Sequence, residues 1–141
     1  MNERNDILTA AILHMILHAN MLDVRGTAHI VVTQDFLWFD QKTYSNRIAR
    51  DPDPSRGQDD VGTNYYGFSD GKISRMVRIV SNQILDESAL PVAKGENDKR
   101  GCVYEQIHNY HVFASFSGGT EDQDVEIAKE GLLAIKKHQS S

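Results

Sequence analysis

The run Phe113-Ala-Ser-Phe-Ser-Gly-Gly-Thr-Glu-Asp-Gln-Asp-Val-Glu-Ile-Ala-Lys-Glu-Gly-Leu-Leu-Ala-Ile135 reads as a strand that breaks at a small-residue turn and enters a capped helix. Phe113, Ala114 and Phe116 suit a buried strand, and Ser117-Gly118-Gly119 ends it with residues that tolerate positive φ. Thr120 is placed to N-cap the helix, and Gln123 three residues on completes a capping box. Glu121, Asp122 and Asp124 fill the first turn, where negative charge complements the helix dipole. Val125, Ala128, Leu132 and Ile135 make one apolar stripe, and Lys136, Lys137 and His138 close the last turn with positive charge.

Working outward, Cys102–Ile107 and Tyr110–Ser117 pair as a hairpin over His108-Asn109. A first helix runs from about Asn5 to Asp23 and stops before Gly26. The hydrophobic runs Ala28–Thr33 and Phe36–Phe39 predict two strands joined around Gln34-Asp35. Residues 51–62, rich in Pro, Asp and Gly, form a polar connection, and 89–99 reads as a loop. A second helix starts near Ser69, with Ile73, Met76, Val77, Val80 and Ile84 on one face. The order helix, strands, helix, strands, helix predicts an α/β (α+β) fold: an antiparallel sheet of four or five strands flanked by helices, in one domain over residues 1–141.

Composition sets outer bounds on function. At 141 residues, with 40% hydrophobic and 25% charged side chains, the chain has an ordinary globular composition and can build one core without staples. A net charge of −5 argues against nucleic acid or an anionic membrane as main partner. One cysteine, Cys102, excludes an intramolecular disulfide and offers no zinc-ligand pair. Residues 7–22 are too short a stretch, and too polar at His14, His18 and Asn20, to span a bilayer, and no basic segment precedes them. The expected compartment is the cytoplasm.

The strand, the Ser-Gly-Gly-Thr turn at 117–120, Gln123-Asp124, Ile127-Ala128 and Gly131-Leu132 together resemble the C-terminal signature of the GlcG/HbpS family, the haem-binding or "haem-degrading" domains. That family is also similar to the C-terminal domain of PduO-type proteins. Arg100-Gly101-Cys102-Val103-Tyr104 falls where those proteins carry a Gly-Gly-x-Pro loop, with Arg100 in place of a glycine and Val103 in place of the proline. The resemblance implies a profilin-like antiparallel sheet, a homo-oligomer, haem as a candidate cofactor, and a pocket near loop 100–104 and turn 117–120. Its departures favour a diverged pocket.

Read from the residues themselves, several positions could carry chemistry. His14 and His18, four apart on the first helix, share a flank and could hold a metal or serve as axial haem ligand, although such pairs are more often interfacial or hydrogen-bonded histidines. His29 and Asp35, at the first strand and its turn, are candidates for acid–base work, as are His108 and His111 at the hairpin. Ser117, Gly118, Gly119 and Thr120 could offer helix-start amides to a carboxylate or phosphate, or serve turn geometry alone. Arg100, Gly101 and Cys102 would border the same pocket, and Tyr65 and Tyr66 would supply a wall for a flat ligand. Lys72, Arg75 and Arg78 read as a solvated basic flank or a carboxylate clamp, with Arg47, Arg50 and Arg56 as further candidates.

Leu8, Ile12, Met15, Ala19 and Leu22 form one stripe of the first helix, while Leu13, Ile16 and Leu17 lie on another side. A helix apolar most of the way round must be covered twice, by another subunit or by the chain's own connection. Two functions follow. One is a small-ligand binding or accessory protein for haem, a corrinoid or a similar flat carboxylated molecule. The other is a cofactor-independent enzyme that uses a His or Asp as acid–base catalyst on a small organic acid.

Overall fold

The computed structural model describes residues 3–45, 72–78, 80 and 102–140. The expectations for Tyr65, Tyr66, Arg100, Gly101, the connection 51–62 and the loop 89–99 lie outside the described residues. Helix α1 (Glu3–Met21) leads into β1 (Thr27–Thr33) and β2 (Phe39–Ser45). Helix α2 covers residues 72–78. Strands β3 (Val103–Ile107) and β4 (Tyr110–Ser117) and helix α3 (Glu121–Ser140) follow. The strands form one antiparallel sheet in the order β2-β1-β4-β3, so the expected α+β architecture with flanking helices is what the chain adopts.

Burial separates the two faces of the sheet. Ala28, Ile30 and Val32 of β1, with Val112, Ala114 and Phe116 of β4, pack against α1 and α3. There they meet Leu8, Ile12, Met15 and Ala19 of the expected α1 stripe, and Ala128, Leu132 and Ile135 of the α3 stripe. This is the main core. On the opposite face Val31 and Phe113 pack with Ile73 of α2, joined by the half-buried Met76, Val77 and Val80. Alternation along a strand explains the division, since neighbouring residues point to opposite faces.

Helix α1 ends by bonding its last carbonyls back to the chain. Asp23 adopts φ +56°, Val24 N donates to Ala19 O at 2.9 Å, and Asp23 N donates to Asn20 O at 3.1 Å. This is a Schellman closure with aspartate where glycine is usual. The chain then passes against the end of β4: a Cβ on Gly26 would collide with the Ser117 carbonyl, and one on Gly118, at φ +149°, with the Arg25 carbonyl. Two glycines are needed because two backbones cross there.

The second strand departs from expectation. Phe36, Leu37 and Trp38 lie in a turn, and β2 begins only at Phe39. Thr33 Oγ1 accepts from Phe36 N at 3.0 Å and donates to Trp38 O at 2.6 Å, while Asp35 Oδ1 accepts from the amides of Leu37 (2.9 Å) and Trp38 (3.0 Å). Side-chain bonds to nearby amides thus outcompete the apolar run's tendency to extend. The turn leaves Leu37 and Trp38 exposed.

Candidate functional site

Cross-strand register arranges the α2-side face into rows. One row is Ser45–Thr27–Ser117 and the next is Thr43–His29–Ser115. Then come Gln41–Val31–Phe113–Tyr104 and Phe39–Thr33–His111–Gln106. Polar side chains hold one end and aromatic ones the other. Thr27, His29 and Ser115 are fully buried and Ser117 nearly so. Burying polar groups is costly unless they are bonded or used. His29 Nε2 lies 2.8 Å from Gln41 Oε1, so Nε2 carries the proton and Nδ1 is the acceptor nitrogen. Thr27 Oγ1 donates to Ser45 Oγ at 3.0 Å, whereas the buried Ser117 Oγ has no hydrogen-bond partner among the described residues.

At the aromatic end, Tyr104 and His111 form a close pair. The phenol oxygen is 2.6 Å from His111 Nδ1, and the two rings are nearly parallel at 5.9 Å between centroids. Phe36 (4.6 Å) packs on the His111 ring and Phe113 (4.9 Å) on the Tyr104 ring. Burial raises the Tyr104 hydroxyl above its ordinary value, so the phenol keeps its proton and donates to Nδ1. His111 is thereby fixed with its remaining ring proton on Nε2. Hairpin parity places Tyr104 and His111 on one face: once His108-Asn109 is the turn, Gln106 faces His111 and Tyr104 sits diagonally to it. That pairing was available in the sequence and was missed.

The other candidates separate. His108 is an exposed turn residue at φ +55°, outside the strand that carries His111. Asp35 spends its carboxylate on the Leu37 and Trp38 amides, and these two bonds hold it below the usual carboxylate range. It lies in the turn beyond Thr33, itself two rows from His29, so His29 and Asp35 make no pair. His14 is exposed; His18 is held by α3, with Nε2 at 2.6 Å from Glu126 Oε2 and Nδ1 at 3.7 Å from Glu130 Oε1. Iron ligation by His18 would have to break the Glu126 contact. Among the described residues no cluster of three or more His, Cys, Asp or Glu could hold a metal ion.

Turn 117–120 uses its own amides. Gly119 N donates to Asp124 Oδ1 (2.9 Å), Thr120 N to Gln123 Oε1 (3.0 Å) and Gln123 N to Thr120 Oγ1 (3.2 Å). The expected capping box is present, and its completion occupies amides an anion would need. Lys72 and Arg75 are buried, not a solvated flank; Lys72 Nζ donates to Phe116 O at 2.7 Å and pairs with Asp124 Oδ2 at 3.1 Å.

A groove of about 440 Å³ runs between β3 and α3, within the size range of small-ligand sites. Val103, Tyr104, Leu132 and Leu133 supply apolar wall, and Lys129, Lys136 and Glu105 the charges, with Lys136 paired to Glu105. Cys102, half-buried, directly precedes this wall. No helix among the described residues is long and apolar enough to cross a membrane. Comparison with protein-family models, curated proteins and solved structures finds no match to this chain.

Proposed function

We propose that the chain is a small-ligand binding or accessory protein of the GlcG/HbpS type, taking haem, a corrinoid or a similar flat carboxylated molecule. The observation that supports this reading is the β3–α3 groove, which combines an apolar wall with Lys129, Lys136 and Glu105 and includes Val103 and Tyr104 of the 100–104 stretch. Ring burial against Val103, Leu132 and Leu133 would provide affinity, and Lys129 and Lys136 would attract carboxylates. The groove's lining includes no imidazole or thiolate, and its one phenol, Tyr104, is engaged with His111. A haem held there would be bound chiefly by ring burial and its propionates. The reading includes a homo-oligomer, for which exposed Leu13 and Leu17 on α1 speak.

Hemin titration followed at the Soret band tests it, using the wild type and Lys129→Glu, Leu133→Asp, His14→Ala and His18→Ala variants. A saturable shift weakened by the groove variants supports the proposal. A shift lost in a histidine variant alone overturns the groove, and no shift removes haem.

A second reading, acid–base catalysis on a small organic acid, is favoured by the Tyr104–His111 bond. A phenol donating to Nδ1 orients the imidazole so that its Nε2–H points to a substrate oxygen; as that proton is given up, Nδ1 can take the phenol's in its place. Turnover of a carboxylic-acid panel lost in His111→Ala, with hemin binding intact, would establish it.

A further inference from the structure

We infer that two copies of this chain join edge to edge through β2, each β2 pairing antiparallel with its counterpart about a two-fold axis at Gln41. The inference rests on the homo-oligomeric reading above and gives it a location.

Among the described residues β2 is an outermost strand of the sheet. An outer strand presents a row of backbone donors and acceptors that another strand can pair with. Its sequence, Phe39-Asp-Gln-Lys-Thr-Tyr-Ser45, is self-complementary about Gln41. Antiparallel pairing centred there sets Asp40 opposite the partner's Lys42, and Lys42 opposite the partner's Asp40. It also brings Trp38, 82% exposed, level with the partner's Tyr44, and Tyr44, 49% exposed, level with the partner's Trp38. Centring one residue later would stack Lys42 on the partner's Lys42; one residue earlier would stack Asp40 on the partner's Asp40. Like charges directly opposite destabilise a strand pair, so the Gln41 register is favoured over both of its neighbours.

The helix above this edge fits the same axis. Lys42 Nζ donates to Thr9 Oγ1 at 2.9 Å, which sets one flank of α1 over β2. Leu13, 56% exposed, lies one turn along from Thr9 on the same flank of α1, and Leu17 one turn further. A two-fold axis at the β2 edge turns this flank toward its counterpart in the partner. One operation buries the apolar ridge of α1 and pairs the strand edge, as an isologous dimer requires.

Sedimentation velocity with circular dichroism on the full chain tests this. The wild type is expected to sediment as a dimer or an even multiple of it, and Asp40→Lys to lower the assembly by a factor of two. The double swap Asp40→Lys/Lys42→Asp is expected to restore it. Should Asp40→Lys fail to fold, Leu13→Glu, at an exposed position, is expected to give a folded species of half the mass. An oligomer unaffected by Asp40→Lys or Leu13→Glu overturns the β2 interface while leaving the oligomeric reading standing. A monomeric wild type overturns both, and neither result alters the hemin titration.

Discussion

The Lys72 ammonium and the Asp124 carboxylate meet at 3.1 Å with 2% and 7% of their side chains exposed, tying α2 to the start of α3. The pair is supported on both sides, since Lys72 also donates to Phe116 O and Asp124 also accepts from Gly119 N. Removing one member strands a buried charge, which costs about 3–5 kcal/mol. Lys72→Met should therefore unfold at markedly lower urea, and adding Asp124→Asn should recover part of the loss. Additive losses in that double-mutant cycle would show that the two groups act independently.

At the chain crossing, Gly118→Ala must place a Cβ against the Arg25 carbonyl from a backbone that L residues rarely adopt. Strain and overpacking together suggest a loss of about 2–4 kcal/mol. The melting temperature should drop by roughly 10 °C or more. Gly131→Ala provides the contrast, because its new methyl group meets the flexible end of Met15, and a much smaller loss is expected.

Tyr104 is held neutral by burial, its folded value lying above that of the unfolded chain. Its contribution to stability is complete below the unfolded value and is lost as pH rises through the folded one. Ultraviolet titration should show a late tyrosine ionisation above the ordinary phenol range, and Tyr104→Phe should abolish that step.

The Asp35 carboxylate runs the other way, since the Leu37 and Trp38 amides hold it below its ordinary value of 3.8. The turn's stabilisation is present above that ordinary value and is lost as pH falls through the lower folded one. Trp38, the chain's sole tryptophan, reports on it directly. Its emission should step at low pH in the wild type and remain flat in Asp35→Asn.

Much of this fold could be read from the chain because its signals were local. The capping box at Thr120 and Gln123, the α3 stripe and the hairpin over His108-Asn109 each depend on residues within a few positions of one another. The β2 boundary was hidden because Thr33 and Asp35 divert an apolar run into a turn. Lys72 read as solvated for a different reason: its partners Phe116 and Asp124 lie 44 and 52 residues away. The candidate site was legible only in fragments. His111 stood out by type, but the groove arises from packing α3 beside β3, which no spacing rule encodes.

One consequence of the two-faced sheet concerns how such a chain can change over time. Toward α1 and α3 the two central strands β1 and β4 present an apolar core, and there a lost methylene is felt in stability. The side carrying His29, Ser115, Tyr104 and His111 is mixed, so exchanges there alter chemistry with less injury to the main core. Selection can thus rework one surface of the sheet while the other preserves the scaffold, and ligand preference can diverge faster than architecture.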